Sequence, residues 1–269
     1  MTILVTGATG NIGRKVVDHL LARGATDVRA LTTNPARAAL PAQVQVAKGY
    51  LRRVETLPAA FEGVTAAYLA PTPETVEDVL RIAREAGVGY VVDLSGEHES
   101  WWGGVAKAVE ASGLDWTHLS PGDFMENTVS WAPQIIADGA VHEPWPEGRS
   151  TPIAMDDIAR VAAAALTTPG HGGHSYPLTG PEVLTRTDLL DRIAAALGTP
   201  LRFETVSRDR AVEVLGRTMG DQAQWYVDTI LKGAMEWEAR PNTLVEEITG
   251  TPATTFATWA STHTASFRP

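Results

Sequence analysis

The chain lacks cysteine altogether among its 269 residues. This absence excludes disulfide bonds, thiolate catalysis and metal sites that depend on cysteine ligands. Positive charge is also scarce, because 22 lysines and arginines stand against 32 aspartates and glutamates, giving a net charge of −10. An acidic chain without basic runs argues against nucleic acid or an anionic membrane as the main partner.

Long apolar runs are missing as well. The chain enters an apolar strand at Ile3-Leu4-Val5 with no basic leader ahead of it. We therefore expect no signal peptide, no membrane span and a cytoplasmic location. Hydrophobic residues make up 44% of the sequence, which is enough to bury the core of one large α/β domain, with or without a small appendage.

The first half of the chain alternates short apolar runs with amphipathic segments. Strands are predicted at residues 2–6, 28–32, 44–47, 66–70, 90–94 and 116–119. Helices are predicted at 14–23, at 104–112 and after Thr72, which would cap a helix that begins at Pro73. Strict alternation of this kind predicts an α/β fold with a doubly wound parallel sheet.

The second half is less regular. Residues 131–150 contain three prolines and are predicted to form a loop, followed by a helix at 156–166 and a late strand at 175–178. Thr185 and Asp188 match a capping box at the start of a helix over 185–197. A strand is predicted at 201–206, and the chain beyond it is predicted to be mainly helical.

A glycine-rich turn lies between the first strand and the first helix. In such a turn one glycine permits the tight bend, another lets the backbone approach a pyrophosphate, and the third lets the helix pack on the strand. The helix N-terminus then offers unpaired N–H groups to the anion. The alternative is an ordinary glycine-rich turn without a ligand. The predicted dinucleotide contacts in this turn are Gly7, Thr9, Gly10, Asn11, Ile12 and Gly13.

The three-and-three glycine spacing within TGATGNIG resembles the short-chain dehydrogenase/reductase superfamily. More narrowly, the chain is similar to its atypical NmrA-like branch, which includes triphenylmethane reductase and NADPH quinone reductase relatives. The stretches ASGLDWTHLSPGDFMEN at 111–127 and YPLTG at 176–180 agree with that branch, and the similarity extends over nearly the whole chain. The resemblance implies a Rossmann domain over 1–150 and a smaller, mostly helical substrate-binding region over 151–269, with parts of 151–180 returning to the sheet.

The end of the second strand bears on the choice between NAD(H) and NADP(H). An acidic residue there would bind the ribose hydroxyls and repel a 2′-phosphate, but the sequence has Thr32-Thr33-Asn34. Arg37 lies just beyond and Arg14 opens the first helix, so both could meet a 2′-phosphate, although each could equally be solvated surface. We therefore expect NADP(H) to be preferred, with Thr33 and Arg37 among the contacts.

Other cofactor contacts are expected beyond the carboxyl ends of the strands. Relatives carry Gly-Asp-Leu after the third strand, and the aspartate contacts the adenine. This chain has Gly49-Tyr50-Leu51, so Tyr50 would stack on the adenine, or the adenine contact is different. The remaining expected contacts are Leu51, Ala70, Pro71, Ser95, Gly96, Pro121 and Phe124.

The catalytic pair that the superfamily resemblance implies is incomplete. A Tyr-x-x-x-Lys pair would supply the proton in a carbonyl reductase, but Gly103 stands four residues before Lys107. Ser95 follows the fifth strand, where the superfamily keeps its catalytic serine, and His98 could donate a proton near pH 7. The alternatives are a turn serine and an exposed loop histidine. Ser95 and His98 are the catalytic candidates.

Several aromatic side chains fall in loops near the expected cleft, and they predict a pocket whose apolar walls suit a flat substrate. The alternative is that they pin loops to the core. Seven scattered histidines, without cysteine or a nearby carboxylate cluster, predict no metal site. The candidate substrate contacts are Trp101, Trp102, Phe124, Met125, Trp131 and Trp145.

Two functions remain open at this point. One is an NADPH-dependent oxidoreductase that delivers hydride, without flavin, to an apolar aromatic, quinone-like or carbonyl substrate, with a role in secondary metabolism as one expectation. The other is a non-catalytic NmrA-like regulator that senses NADP(H). A nucleotide-sugar epimerase is weaker, because it needs the missing Tyr-Lys pair. The sequence leaves monomer and dimer open.

Overall fold

The computed structural model describes residues 1–96, 98, 100 and 103–269. These residues form two compact units, each assembled from three segments of the chain. The first unit comprises Met1–Pro121, Met155–Leu178 and Leu244–Thr251, and the second comprises Gly122–Ala154, Thr179–Thr243 and Pro252–Pro269. The division at 150/151 drawn from the sequence therefore differs from the structure, in which the first unit is interrupted after Pro121.

The strands of the chain are β1 (Thr2–Val5), β2 (Val28–Thr32), β3 (Gln45–Lys48), β4 (Val64–Leu69), β5 (Tyr90–Leu94), β6 (Asp115–Pro121), β7 (Ala140–Glu143), β8 (Arg149–Ser150), β9 (His174–Leu178), β10 (Leu184–Thr185) and β11 (Arg202–Thr205). Seven of them form one parallel sheet in the order β3-β2-β1-β4-β5-β6-β9. The strand order reverses between β1 and β4, as in dinucleotide-binding sheets. The predicted α/β fold with a doubly wound parallel sheet is confirmed.

The helices are α1 (Asn11–Ala22), α2 (Pro58–Phe61), α3 (Val76–Glu85), α4 (Gly103–Ala111), α5 (Ala132–Asp138), α6 (Met155–Thr167), α7 (Arg186–Leu197), α8 (Arg208–Met219), α9 (Gln222–Trp225), α10 (Leu244–Thr249) and α11 (Phe256–Thr262). A π-helical segment follows α9 at Tyr226–Leu231. In the described part of the chain, no helix combines the length and apolar character that crossing a membrane requires.

Helices cover both faces of the large sheet. Helices α2, α3 and α4 pack on the face that carries Leu4, Leu69 and Val91. Helices α1 and α6 pack against each other and against the strands, where the intervening residues Ile3 and Val92 are also buried. Alternate residues of these strands therefore point into two apolar layers, which explains why the strands read as nearly continuous hydrophobic runs.

Helix α3 begins later than the sequence indicated. Thr75 occupies its N-cap position, and the helix starts at Val76. Thr72 is buried, and its hydroxyl makes a 2.8 Å hydrogen bond with the hydroxyl of Thr75. The expectation that Thr72 caps the helix and that Pro73 opens it is therefore wrong, because this threonine pair orders an extra turn before the helix.

The second unit contains regular structure where the sequence predicted a loop. Residues 131–150 hold α5, β7 and β8, and Pro133 sits in the first turn of α5. Proline lacks only an N–H that the first turn leaves unpaired in any case, so it starts a helix as readily as it breaks one. Strand β7 pairs with β11, and β8 pairs with β10. The predicted capping box of Thr185 and Asp188 is confirmed at the start of α7.

A buried ion pair lies in the core of the second unit. Both carboxylate oxygens of Glu143 accept hydrogen bonds from the Arg186 guanidinium, each at 2.8 Å. The indole N–H of Trp131 donates to the same carboxylate at 2.7 Å, and the guanidinium carbon lies 4.6 Å from the centroid of that indole ring. The carboxylate is therefore fully paired within this unit.

Candidate active site

The glycine turn after β1 has no room for larger residues. Gly7 has a φ of +59°, in the left-handed region that favours glycine. A Cβ atom on Gly13 would lie 2.3 Å from the backbone oxygen of Gly7, and one on Gly10 would lie 3.2 Å from the same oxygen. These positions need glycine because the first turn of α1 packs directly against the loop that precedes it.

The N-terminus of α1 is open to an anion. Gly10 is its N-cap residue, no side chain caps the helix, and its first turn contains no acidic residue. Thr9, Gly10 and Asn11 are exposed, whereas Ile12 is buried against the sheet. Unpaired N–H groups beside a turn without side chains suit a pyrophosphate, so the residues present fit a dinucleotide.

Strand β4 ends beside the same turn. The Thr6 hydroxyl donates to the backbone oxygen of Tyr68 at 2.9 Å and accepts from the backbone N–H of Ala70 at 2.8 Å. The Cβ atom of Ala70 would lie 3.0 Å from a Cβ atom built on Gly7. Ala70 and the exposed Pro71 thus lie where the sequence places them, at the carboxyl edge next to the glycine turn.

Strands β5 and β6 end in two buried serines. Ser95 is 7% exposed and Ser120 is 8% exposed, and the Ser95 backbone N–H donates to the Leu119 oxygen at 3.0 Å. Neither serine hydroxyl has a hydrogen-bond partner within the part of the chain that the structure describes. Because buried polar atoms in folded proteins are nearly always paired, two unpaired hydroxyls at this edge point to a ligand.

A buried carboxylate–imidazole pair lies two residues before these serines along the two strands. Asp93 of β5 and His118 of β6 are register partners, and the Nδ1 atom of His118 lies 2.6 Å from a carboxylate oxygen of Asp93. Sequence reasoning missed this pair. The available signal was a polar residue inside each of two otherwise apolar strands, YVVDL and DWTHL.

Comparison with known proteins agrees with this geometry. A family described as NAD(P)H-binding matches residues 7–98. The NAD(P)H azoreductase of Xenophilus azovorans is 34% identical over 98% of this chain and 99% of its own length. The (4-alkanoyl-5-oxo-2,5-dihydrofuran-3-yl)methyl phosphate reductase of Streptomyces griseus is 34% identical over 99% of both chains.

The structure of the NADPH-dependent quinone oxidoreductase of Escherichia coli superposes with a TM-score of 0.84, at 25% identity over 97% of this chain and 99% of that one. The same enzyme complexed with NADPH gives a TM-score of 0.87 at 24% identity, with the same coverage. This chain belongs to the family of NAD(P)H-dependent reductases. The resemblance stated from the motifs is thereby confirmed.

The surface beyond β2 in the reductase carries the two arginines noted in the sequence. Arg14 donates to the backbone oxygen of Ala39 at 2.7 Å, and Ala39 has a φ of +47°. Thr33 and Arg37 are exposed, and Arg37 forms no salt bridge within the described residues. An exposed, uncommitted arginine at this position remains available to a 2′-phosphate.

Two neighbouring residues after β3, Tyr50 and Leu51, differ in exposure. Tyr50 is 42% exposed, so its ring is accessible to an adenine. Leu51 is 8% exposed and belongs to the apolar core beneath α2 and α3, which leaves only its backbone for a cofactor. Gly96 and Pro121 are half-buried at the ends of β5 and β6.

The candidate substrate contacts differ in burial. Met125 and Trp131 are fully buried in the core of the second unit, which favours a packing role for both. Phe124 is half-buried beside Ile153, and Trp145 packs against the α8–α9 cluster. Trp101 and Trp102 lie outside the described residues. No group of three or more potential metal ligands occurs among the residues that are described.

Proposed function

We propose that this reductase transfers hydride from NADPH to a planar, conjugated acceptor of the azo, quinone or unsaturated carbonyl class. The observation that carries the proposal is the open glycine turn at α1, together with the unpaired Ser95 and Ser120 hydroxyls at the same edge of the sheet. The NADPH supplies the hydride when bound. The chain's own residues bind it, orient it and supply the proton.

The role of each residue in the first unit follows from its position at the edge of the sheet. The turn from Gly7 to Gly13 holds the pyrophosphate on the N–H groups of α1. Tyr50 faces the adenine, and Ala70 with Pro71 faces the nicotinamide ribose. Ser95 donates its unpaired hydroxyl toward the reacting end of the cofactor or the acceptor.

The acceptor class follows from the missing Tyr-Lys pair and from the names of the relatives. One relative is named for azo compounds, another for quinones and a third for an unsaturated furanone phosphate. All three acceptor types delocalise the negative charge that hydride addition creates. Such acceptors need less acid catalysis than an isolated ketone, so a site without a tyrosine phenol as general acid suffices.

The test of the proposal is acceptor-dependent oxidation of NADPH. Purified protein is mixed with NADPH and a panel of azo dyes, quinones and unsaturated lactones, and absorbance of the reduced nicotinamide is followed. Oxidation that needs both protein and acceptor supports the reductase proposal. Tight NADPH binding without turnover across the panel would overturn it and favour the sensing alternative.

A matched pair of glycine variants ties any turnover to the proposed site. Gly13→Ala places a Cβ atom against backbone, whereas Gly104→Ala, near the start of α4, meets no heavy atom of the described residues within 4 Å. We expect Gly13→Ala to weaken NADPH binding about a hundredfold and Gly104→Ala to leave it unchanged. Equal binding by both variants, measured by calorimetry, would place the cofactor elsewhere.

Preference for NADPH over NADH is the finer part of the proposal. Arg37 is exposed and makes no salt bridge in the described part of the chain, so we assign it to the 2′-phosphate. Arg37→Ala should weaken NADPH binding about tenfold and leave NADH binding unchanged, because only NADPH carries that phosphate. Arg268→Ala, an exposed arginine near the C-terminus, is the control. Equal weakening of both cofactors would contradict the assignment.

A further inference from the structure

A line of four titratable side chains runs from the buried end of β5 to the surface of the first unit. Asp93 and His118 are joined at 2.6 Å, and Glu110 of α4 lies 3.4 Å from the Nε2 atom of His118. The same Glu110 oxygen lies 2.8 Å from the Nε2 atom of His98. We propose that His98, Glu110, His118 and Asp93 form a proton relay that serves the reduction, an inference that rests on the proposed function.

The burial of the four groups changes steadily along the line. The side-chain exposure is 0% for Asp93, 3% for His118, 31% for Glu110 and 48% for His98. The first pair is closed to solvent, and the last residue is open to it. A proton taken from water at His98 therefore has a connected set of acceptors leading into the sheet.

The imidazole of His118 can carry a proton between Glu110 and Asp93. Its Nδ1 atom is hydrogen-bonded to Asp93, and its Nε2 atom lies 3.4 Å from the Glu110 carboxylate without a hydrogen bond among the described residues. A closer approach of Glu110 lets the ring accept a proton on Nε2 and release the Nδ1 proton to Asp93. Trp116 stacks on the imidazole with ring centroids 4.0 Å apart, which holds the ring plane in this orientation. After one proton has entered on Nε2 and another has left from Nδ1, the ring is the other tautomer, and it returns to the first by reorienting before the next proton passes.

The inner end of the relay faces the proposed active site. Ser120 follows His118 by two residues on β6, and Ser95 follows Asp93 by two residues, one position beyond the end of β5, where its backbone N–H still donates to Leu119. Residues two apart along an extended strand share a face. The second Asp93 oxygen and both serine hydroxyls have no hydrogen-bond partner in the described structure. These unpaired buried oxygens at the ends of two neighbouring strands give the proton an exit toward Ser95.

The other titratable groups near Asp93 do not compete for the proton. Burial, with a contribution from the Asp93 charge, raises the pKa of Tyr68 well above its ordinary value. Burial also raises the pKa of Tyr90, and the charges of Tyr176, Asp115 and Asp93 add to this effect. Both phenols therefore stay protonated at neutral pH, and the carboxylates and imidazoles carry the transfer.

The proton balance of the reaction closes with this relay. The hydride carries an electron pair from the nicotinamide to the acceptor, which becomes an anion. One proton then passes from the Asp93 end of the relay to that anion. His98 takes a replacement proton from solvent, and this proton passes through Glu110 and His118 to Asp93. Once the His118 ring has returned to its first tautomer, the relay is in its starting state, and the reaction has consumed one solvent proton for each NADPH.

Turnover of two surface variants tests the transfer. His98→Ala should lower kcat about tenfold while NADPH affinity stays within twofold, and added imidazole should restore the rate by replacing the lost proton carrier. The solvent deuterium isotope effect on kcat should rise as proton supply becomes limiting. His174→Ala, another exposed histidine of the first unit, should show none of these changes. Wild-type rate and isotope effect in His98→Ala would overturn the relay.

A measurement without acceptor separates this inference from the proposed function. In ¹⁵N spectra of labelled histidine side chains, Glu110→Gln should shift the ring resonances of both His98 and His118, because both contact that carboxylate. Glu85→Gln, at an exposed position of α3, should shift neither. Coupled shifts with no turnover by the wild-type protein would support the connection through Glu110 but overturn the reductase proposal, and with it the role of the relay in reduction. A shift of the His98 ring resonances without a shift of those of His118 would contradict the relay, whether or not the wild-type protein turns over.

Discussion

A carboxylate is buried beside a basic side chain in each unit of the reductase, and the two pairs differ in how many of their polar atoms are hydrogen-bonded. In the second unit, Glu143 receives three hydrogen bonds, two from Arg186 and one from Trp131. In the first unit, one Asp93 oxygen and the Nε2 atom of His118 lack hydrogen-bond partners among the described residues.

The comparison separates a structural pair from a functional one. Burying charge is costly, and a set of hydrogen bonds that satisfies every atom offsets the cost and fixes one arrangement. A pair that leaves atoms unpaired retains capacity to bind or to exchange protons. We therefore expect changes to the Glu143 pair to act on stability and changes to the Asp93 pair to act on turnover.

The largest expected effect comes from breaking the pair in the second unit. Arg186→Met leaves the Glu143 carboxylate buried without its counter-charge, which should lower the free energy of unfolding by about 3–5 kcal/mol. The double variant Arg186→Met/Glu143→Leu removes both charges and should recover most of that loss. Urea unfolding measures both. An equal loss in the single and double variants would show that the pair does not act as a unit.

A change to the Asp93–His118 pair in the first unit should lower turnover much more than stability. Asp93→Asn keeps an oxygen that accepts from the His118 ring but removes the proton acceptor, so kcat should fall about a hundredfold. The free energy of unfolding should change by no more than about 1 kcal/mol, the scale of one hydrogen bond. Stopped-flow kinetics measures kcat, and urea unfolding of the same preparation measures the free energy of unfolding. A stability loss as large as that of Arg186→Met would erase the distinction between the pairs.

The smallest expected effect concerns an exposed acid at the start of α7. Hydrogen bonds from the side chain and the backbone N–H of Thr185 lower the pKa of Asp188 below its ordinary value. A lowered folded pKa stabilises the protein above the unfolded pKa of about 3.9, and this stabilisation is lost as pH falls through the folded value.

Asp188→Asn should therefore cost about 0.5 kcal/mol at pH 7, the scale of a charge at an exposed helix N-terminus, and less as pH falls below 4. Thermal unfolding between pH 3 and pH 7 measures the difference. Asp191→Asn, at an exposed position of the same helix, is the control. A deficit for Asp188→Asn that grows toward low pH would contradict the sign of the pKa shift.

The sequence predicted the parts of the fold that depend on local patterns. Six strands of the parallel sheet, the glycine turn and the Thr185–Asp188 capping box each follow from residues close together in the chain. The order of the strands and the return of β9 to the sheet agree with the resemblance. The loop predicted over 131–150 was wrong because proline in a first helical turn reads like proline in a loop.

The Asp93–His118 pair was beyond the reach of sequence reasoning for a different reason. The two residues are 25 positions apart, and their contact depends on the register between β5 and β6. A strand pattern gives the faces of each strand but not which residue lies opposite which. The placement of Met125 and Trp131 in a closed core likewise depends on packing that a count of aromatic residues does not reveal.

The interleaving of the two units has a consequence for synthesis on the ribosome. Strand β9 and helix α10 belong to the first unit, although they lie at 174–178 and 244–249, far beyond the residues that begin it. Until β9 emerges, the backbone of β6 presents an open sheet edge to whatever strand is nearby. The nascent chain therefore carries an unprotected hydrogen-bonding edge for more than fifty residues of elongation, from Pro121 to β9. Chaperone dependence during translation should be concentrated in that interval.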